Sequence, residues 1–193
     1  MNFTSGYELG TAITNVLICL VSLYGFINIK KDKMWKSFFA FMSIDSFIGS
    51  IVHGISMSIE LNVLLWLILL VFFVITVNIF LALFLKLKVR HIILLSLALF
   101  LLMIILIYFG INFLLGFEFY VFLTMIINTY TIFKYNIKNK DYFLLGIVIQ
   151  LIGGILLLTN FKEGYLDHNG IYHIFMAITM IMFYIGVKKN TSK

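Results

Sequence analysis

Apolar residues run along this chain in stretches far longer than a strand or one helix face needs, broken by short groups of polar and basic residues. A run such as LILLVFFVITVNIFLALFL shows neither the period of two of a half-buried strand nor the one-sided stripe of a surface helix. In a bilayer such a segment is a spanning helix, which takes about 20 mostly apolar residues at about 1.5 Å each. Reading for these runs predicts seven spans, at about 10–29, 37–59, 62–85, 91–109, 112–133, 142–159 and 170–187. The expected fold is all-α: a single seven-helix membrane domain over residues 1–193, with no chain left for a soluble domain. A membrane β-barrel would need alternating apolar and polar residues in segments of about ten. Proline is absent, so any bend must come from glycine or from polar insertion.

Composition sharpens the class. Apolar residues make up 63% and charged residues 11%, where a soluble domain has about half and about a quarter. The mean hydropathy is +1.11. Cys19 is the one cysteine, which excludes a disulfide-built secreted module. The opening MNFTSGYELG has no basic n-region, so span one is expected to stay as an uncleaved anchor stopped by KKDK. No lipidation motif is present, and no internal repeat of the kind that builds inverted-repeat transporters.

The basic residues orient the bundle. Lys30, Lys31, Lys33 and Lys36 follow span one, Lys86, Lys88 and Arg90 span three, and Lys134, Lys138 and Lys140 span five, while Lys188, Lys189 and Lys193 end the chain. Of the 14 Lys and Arg, only Lys162 falls on the opposite side. Basic residues collect on the cytoplasmic side, which puts the N-terminus outside and the C-terminus in the cytoplasm. The net charge of +6 then meets anionic headgroups, so membrane lipids are the expected partners and nucleic acid is not.

Ionisable residues within spans cost at least about 2.5–3.5 kcal/mol each on insertion scales, so they need partners or a cavity. Two layers emerge. His53, His173, Thr14, Asn15, Glu60 and Glu118 share the outer leaflet, with His53 about 9 Å from the outer end of span two. Asp45, Asn78, Asn128 and Gln150 form an inner layer suited to helix-to-helix hydrogen bonds. Ser46, His53 and Glu60 are seven apart and line one stripe of span two, with Ser50 beside it. Asn169 and His173 are four apart and share a face, whereas His168 lies about 140° round the helix from His173. Gly153 and Gly154 mark a close helix approach.

A zinc ion needs lone pairs converging at about 2.0–2.2 Å. His53 and His173 supply half such a set, and Glu60, Glu118 or His168 would complete it. The competing reading of the same residues is two histidines hydrogen-bonded to Asn15, Thr14 or Glu118, with no ion.

The segments FFAFMSIDSFIGSIVHGI on span two and HNGIYHIFMAITMIMFYIG on span seven resemble the CREST superfamily. That group includes the alkaline ceramidases and the progestin and adiponectin receptors, and the likeness is nearest to its small bacterial members. The resemblance implies a seven-helix fold and a zinc held by one histidine late in span two and two at the start of span seven. By position, His53 and His173 match two of these, Asn169 stands where the first span-seven histidine belongs, and Gly49 stands where a serine belongs. The expectation that follows is a zinc-dependent amidase or esterase acting on lipids. His53 and His173 would hold the ion, with Asn169 or His168 in a third position. Glu60 or Glu118 would move the proton, and Ser50 would stand in for the serine. The alternatives are a non-catalytic lipid-binding or structural relative and, more remotely, a small proton-coupled transporter using Glu118 and Asp45.

Overall fold

The computed structural model describes residues 8–109, 113–157, 162–163 and 166–191. It consists of seven helices: α1 (Leu9–Asn28), α2 (Lys33–Gly54), α3 (Ile59–Leu85), α4 (Val89–Tyr108), α5 (Phe113–Lys134), α6 (Lys140–Leu157) and α7 (His168–Thr191). Two-residue strands β1 (Lys162–Glu163) and β2 (Leu166–Asp167) pair antiparallel between α6 and α7. Six of the helices are long and apolar enough to cross a membrane, and the stretch of α5 that can be assessed, Phe119–Lys134, is shorter.

Local chemistry sets the ends. The Asp32 carboxylate accepts from the backbone N–H groups of Met34 and Trp35, so α2 begins at Lys33 instead of 37. The same helix stops early. Ile55 is extended at φ −127°, and Ser58 accepts from the Leu61 N–H to start α3. The run 55–58 is apolar enough to pass for helix, which is why the expected span reached 59. Glu60 consequently sits in the first turn of α3, exposed, and does not continue a stripe through Ser46 and His53. At the other end of α3, Lys86 turns left-handed at φ 53°, and the Leu87 N–H closes on the Ala82 carbonyl.

The first and last helices lie side by side: α1 packs on both α2 and α7, α7 on α6, and α3 links α2 to α4 and α5. One end of the bundle is closed by aromatic rings. Trp35 stacks on Phe143 at 5.3 Å between centroids and meets Phe84 and Phe183, so the start of α2, the end of α3, the start of α6 and the last third of α7 converge there. Each such pair adds about 0.5–1.5 kcal/mol beyond packing alone. The opposite end gathers the C-terminus of α2 and the N-termini of α1 and α7. The outward faces are apolar, as at Ile13, Leu20 and Ile27 on α1 and Leu94, Leu97 and Leu101 on α4.

Candidate functional site

The polar end is built on the first residue before α1. The Glu8 N–H donates to the His53 carbonyl at 2.9 Å, and the Glu8 carboxylate lies 2.8 Å from His53 Nδ1. A carboxylate only accepts, so this bond puts a proton on Nδ1 and leaves Nε2 as the outward nitrogen of His53. The edge of the same ring meets Trp66 at 5.4 Å. His173 lies with its ring centre 6.4 Å from that of His53, and its Nδ1 is 3.4 Å from the Thr14 hydroxyl. Thr14 also reaches the carbonyls of Gly10 and Thr11 at 3.0 Å, so its one hydrogen goes to one of these or to His173 Nδ1, and the ring nitrogen donates to Thr14 instead when it carries the proton.

Asp167 ties this end to the start of α7. Its Oδ1 accepts from the Gly170 N–H at 2.8 Å, an N-cap, and from the Thr11 hydroxyl at 3.1 Å. Partial burial by itself would raise this carboxyl. The Gly170 N–H, the Thr11 hydroxyl and the neighbouring His168 charge outweigh it and hold the group below its ordinary value.

The structure brings His53 and His173 together and leaves the other expected site residues apart. Ser50 donates to the Phe47 carbonyl at 2.7 Å and is spent there. Glu60 is exposed on α3, His168 and Asn169 are half-buried on the first turn of α7, and the Glu118 side chain lies outside the described residues. A Cβ at Gly49, the expected serine place, would sit 3.0 Å from the Asn15 amide oxygen, so Asn15 occupies that space. Among the described residues no three His, Cys, Asp or Glu side chains converge on one point. Two imidazoles sharing a tetrahedral zinc through bonds of about 2.0–2.1 Å bring their ring centres to about 5 Å. The observed pair is wider, and the described donor set falls one short of the three protein ligands a catalytic zinc takes.

Sequence reasoning passed over Glu8 and Asp167. The signal for Asp167 was available, since an aspartate just before the apolar run HNGIYHIF is a ready N-cap. Glu8 had none beyond its place one residue before an apolar run, because its partner comes from another helix.

Beside the histidines, Tyr172 carries the polar end into the middle of the bundle. Its ring lies 5.8 Å from that of His173, and its hydroxyl accepts from Gln150 Nε2 at 2.7 Å. Both residues line a partly open cleft between α2, α3, α5, α6 and α7 with a cavity volume of about 50 Å³. Its walls are largely apolar, with Val77, Met125, Met176 and Met180 along the sides and Phe38 and Phe183 towards the aromatic end.

The chain matches a family of unknown function, DUF6962, over residues 10–192. It belongs to that family. The match takes in the seven described helices. No curated protein and no solved structure matches the chain.

Proposed function

We propose that the protein is a multi-pass integral membrane protein, N-terminus outside and C-terminus cytoplasmic, that binds a lipid chain in the cleft between α2, α3, α5, α6 and α7. The cleft carries the reading. An apolar space among membrane-length helices is in reach of acyl chains and of little else. The exposed apolar faces of α1 and α4 and the lysines beside alternate helix ends support the membrane setting.

The test is displacement of a fluorescent polyene fatty acid from the detergent-purified full chain. Saturable binding is expected, and Met176→Trp, which fills the cleft, should weaken it at least about tenfold, equivalent to about 1.4 kcal/mol. Binding that does not saturate, or that ignores Met176→Trp in a folded protein, would sink the reading.

A second reading, zinc-dependent hydrolysis of a lipid amide or ester in a CREST-like site, is favoured by one feature. His53 Nδ1 is bonded to the Glu8 carboxylate, the kind of outer partner that orients metal-binding imidazoles. Metal analysis decides it. About one zinc per chain, lost in both His53→Ala and His173→Ala, supports the hydrolase; metal-free protein whose melting ignores chelators rejects it.

A further inference from the structure

Gln150 is 7% exposed, and its side-chain carbonyl has no hydrogen-bond partner. It lines the cleft, and its amide nitrogen is held by the Tyr172 hydroxyl. The other polar side chains there are differently placed. Thr76, Thr124 and Thr179 spend their hydroxyl hydrogens on the carbonyls of Phe72, Tyr120 and Gly146. An orphaned buried acceptor costs stability until a donor meets it. A ligand that supplied the missing donor would recover that cost as affinity, and a plain hydrocarbon chain would not.

From this we infer that the cleft selects an acyl chain carrying a hydroxyl in mid-chain, with that hydroxyl donating to Gln150 Oε1. The inference rests on the lipid-binding reading and adds the ligand class. Depth fixes where the hydroxyl must be. Gln150 lies about 15 Å along α6 from Lys140 at about 1.5 Å per residue. That is half of a hydrocarbon core of about 30 Å, so an extended 18-carbon chain with its headgroup at either interface sets about its twelfth carbon beside Gln150, well past the carboxyl and short of the methyl end. A hydroxyl also suits both orientations of the amide. If the group is turned so that Oε1 takes the Tyr172 hydrogen, the freed NH₂ donates to the same ligand oxygen.

The experiment uses the full chain in detergent and the same fluorescent fatty acid. The competitors are stearic acid and stearic acids with one hydroxyl near the carboxyl, at mid-chain or near the methyl end. The mid-chain isomer is expected to bind about five- to thirtyfold tighter than stearic acid. The other two isomers should gain nothing. Gln150→Met, close in volume, should erase the mid-chain preference. A flat profile across isomers in the native chain overturns the inference even if every variant fails to fold, because a resident water would then satisfy Gln150. Stearic acid binding with a flat profile leaves lipid binding standing and removes only the hydroxyl. Failure of all four competitors to displace the probe removes both. A lysophospholipid with the same hydroxylated chain, competing better than the free acid, would identify an esterified lipid as the source.

Discussion

Asp167 shows how much a single residue carries at the polar end. One oxygen caps α7 and receives the Thr11 hydroxyl of α1, so two helices from opposite ends of the chain share one carboxylate. Asp167→Ala should cost about 1–2 kcal/mol, the range for losing an N-cap. Asp167→Asn keeps a capping oxygen and loses the charge, which isolates the electrostatic part. Because the folded carboxyl sits below its ordinary value of 3.8, the folded protein binds fewer protons than the unfolded chain in that interval. Stability from the charge is complete above that value and is lost as pH falls through the lower folded one. Melting of wild type against Asp167→Asn should therefore show a gap at about pH 6 that closes towards about pH 3. A gap that stays constant would place the carboxylate's contribution outside titration. The histidines show the complementary limit of legibility. Their shared depth followed from counting residues at about 1.5 Å each. Thr14 was among their expected partners and lies beside His173, whereas Glu8 was not foreseen, because it reaches His53 from just before α1 and no spacing within span two or span seven encodes a third segment.

Element ends were legible where a side chain announces them and were lost where apolar character continues through a break. The expected boundaries of α3, α5, α6 and α7 fall within a few residues of those observed, whereas α2 was carried to 59 through ISMS. Helix contacts were legible only in part. Gly153 and Gly154 were the expected close approach, and a Cβ at Gly153 would meet the Phe175 Cβ at 2.8 Å, yet one at Gly154 meets nothing within 4 Å. The tightest approach is at Gly146, where a Cβ would lie 2.5 Å from the Phe183 ring. Phe183 cannot yield easily, being 2% exposed and enclosed by Trp35, Phe80 and Phe143. Gly146→Ala should therefore destabilise by about 1–3 kcal/mol, the cost of overpacking, despite the better helix propensity of alanine. Gly154→Ala meets open space and should be neutral or stabilising by up to about 1 kcal/mol. Thermal melting of both variants checks the pair together; Gly146→Ala melting at or above wild type would mean that α6 and α7 are further apart than described.

At the scale of the whole molecule the two ends differ in kind, and the difference is written in the chain. One end holds the Trp35–Phe143–Phe183 cluster, with Lys33, Lys86, Lys140 and Lys188 on the adjoining helix ends or just beyond them. The other holds Glu8, His53, His173 and Asp167 and is poor in lysine. An insertion machinery that retains Lys and Arg in the cytoplasm would fix the aromatic end inside and the histidine end outside. The chain offers a direct way to read this, because Cys19 is its one cysteine and a Cys19→Ser background carries no other thiol. Glu60 is exposed at the histidine end, and Lys138 lies in the turn between α5 and α6 at the lysine-rich end. In that background, Glu60→Cys should react on intact cells with a maleimide that does not cross membranes. Lys138→Cys should react only after the cells are opened. The reverse pattern would invert the orientation, and it would also move the His53–His173 end of the bundle to the cytoplasmic leaflet, so that any lipid reaching the cleft from that end would enter from inside.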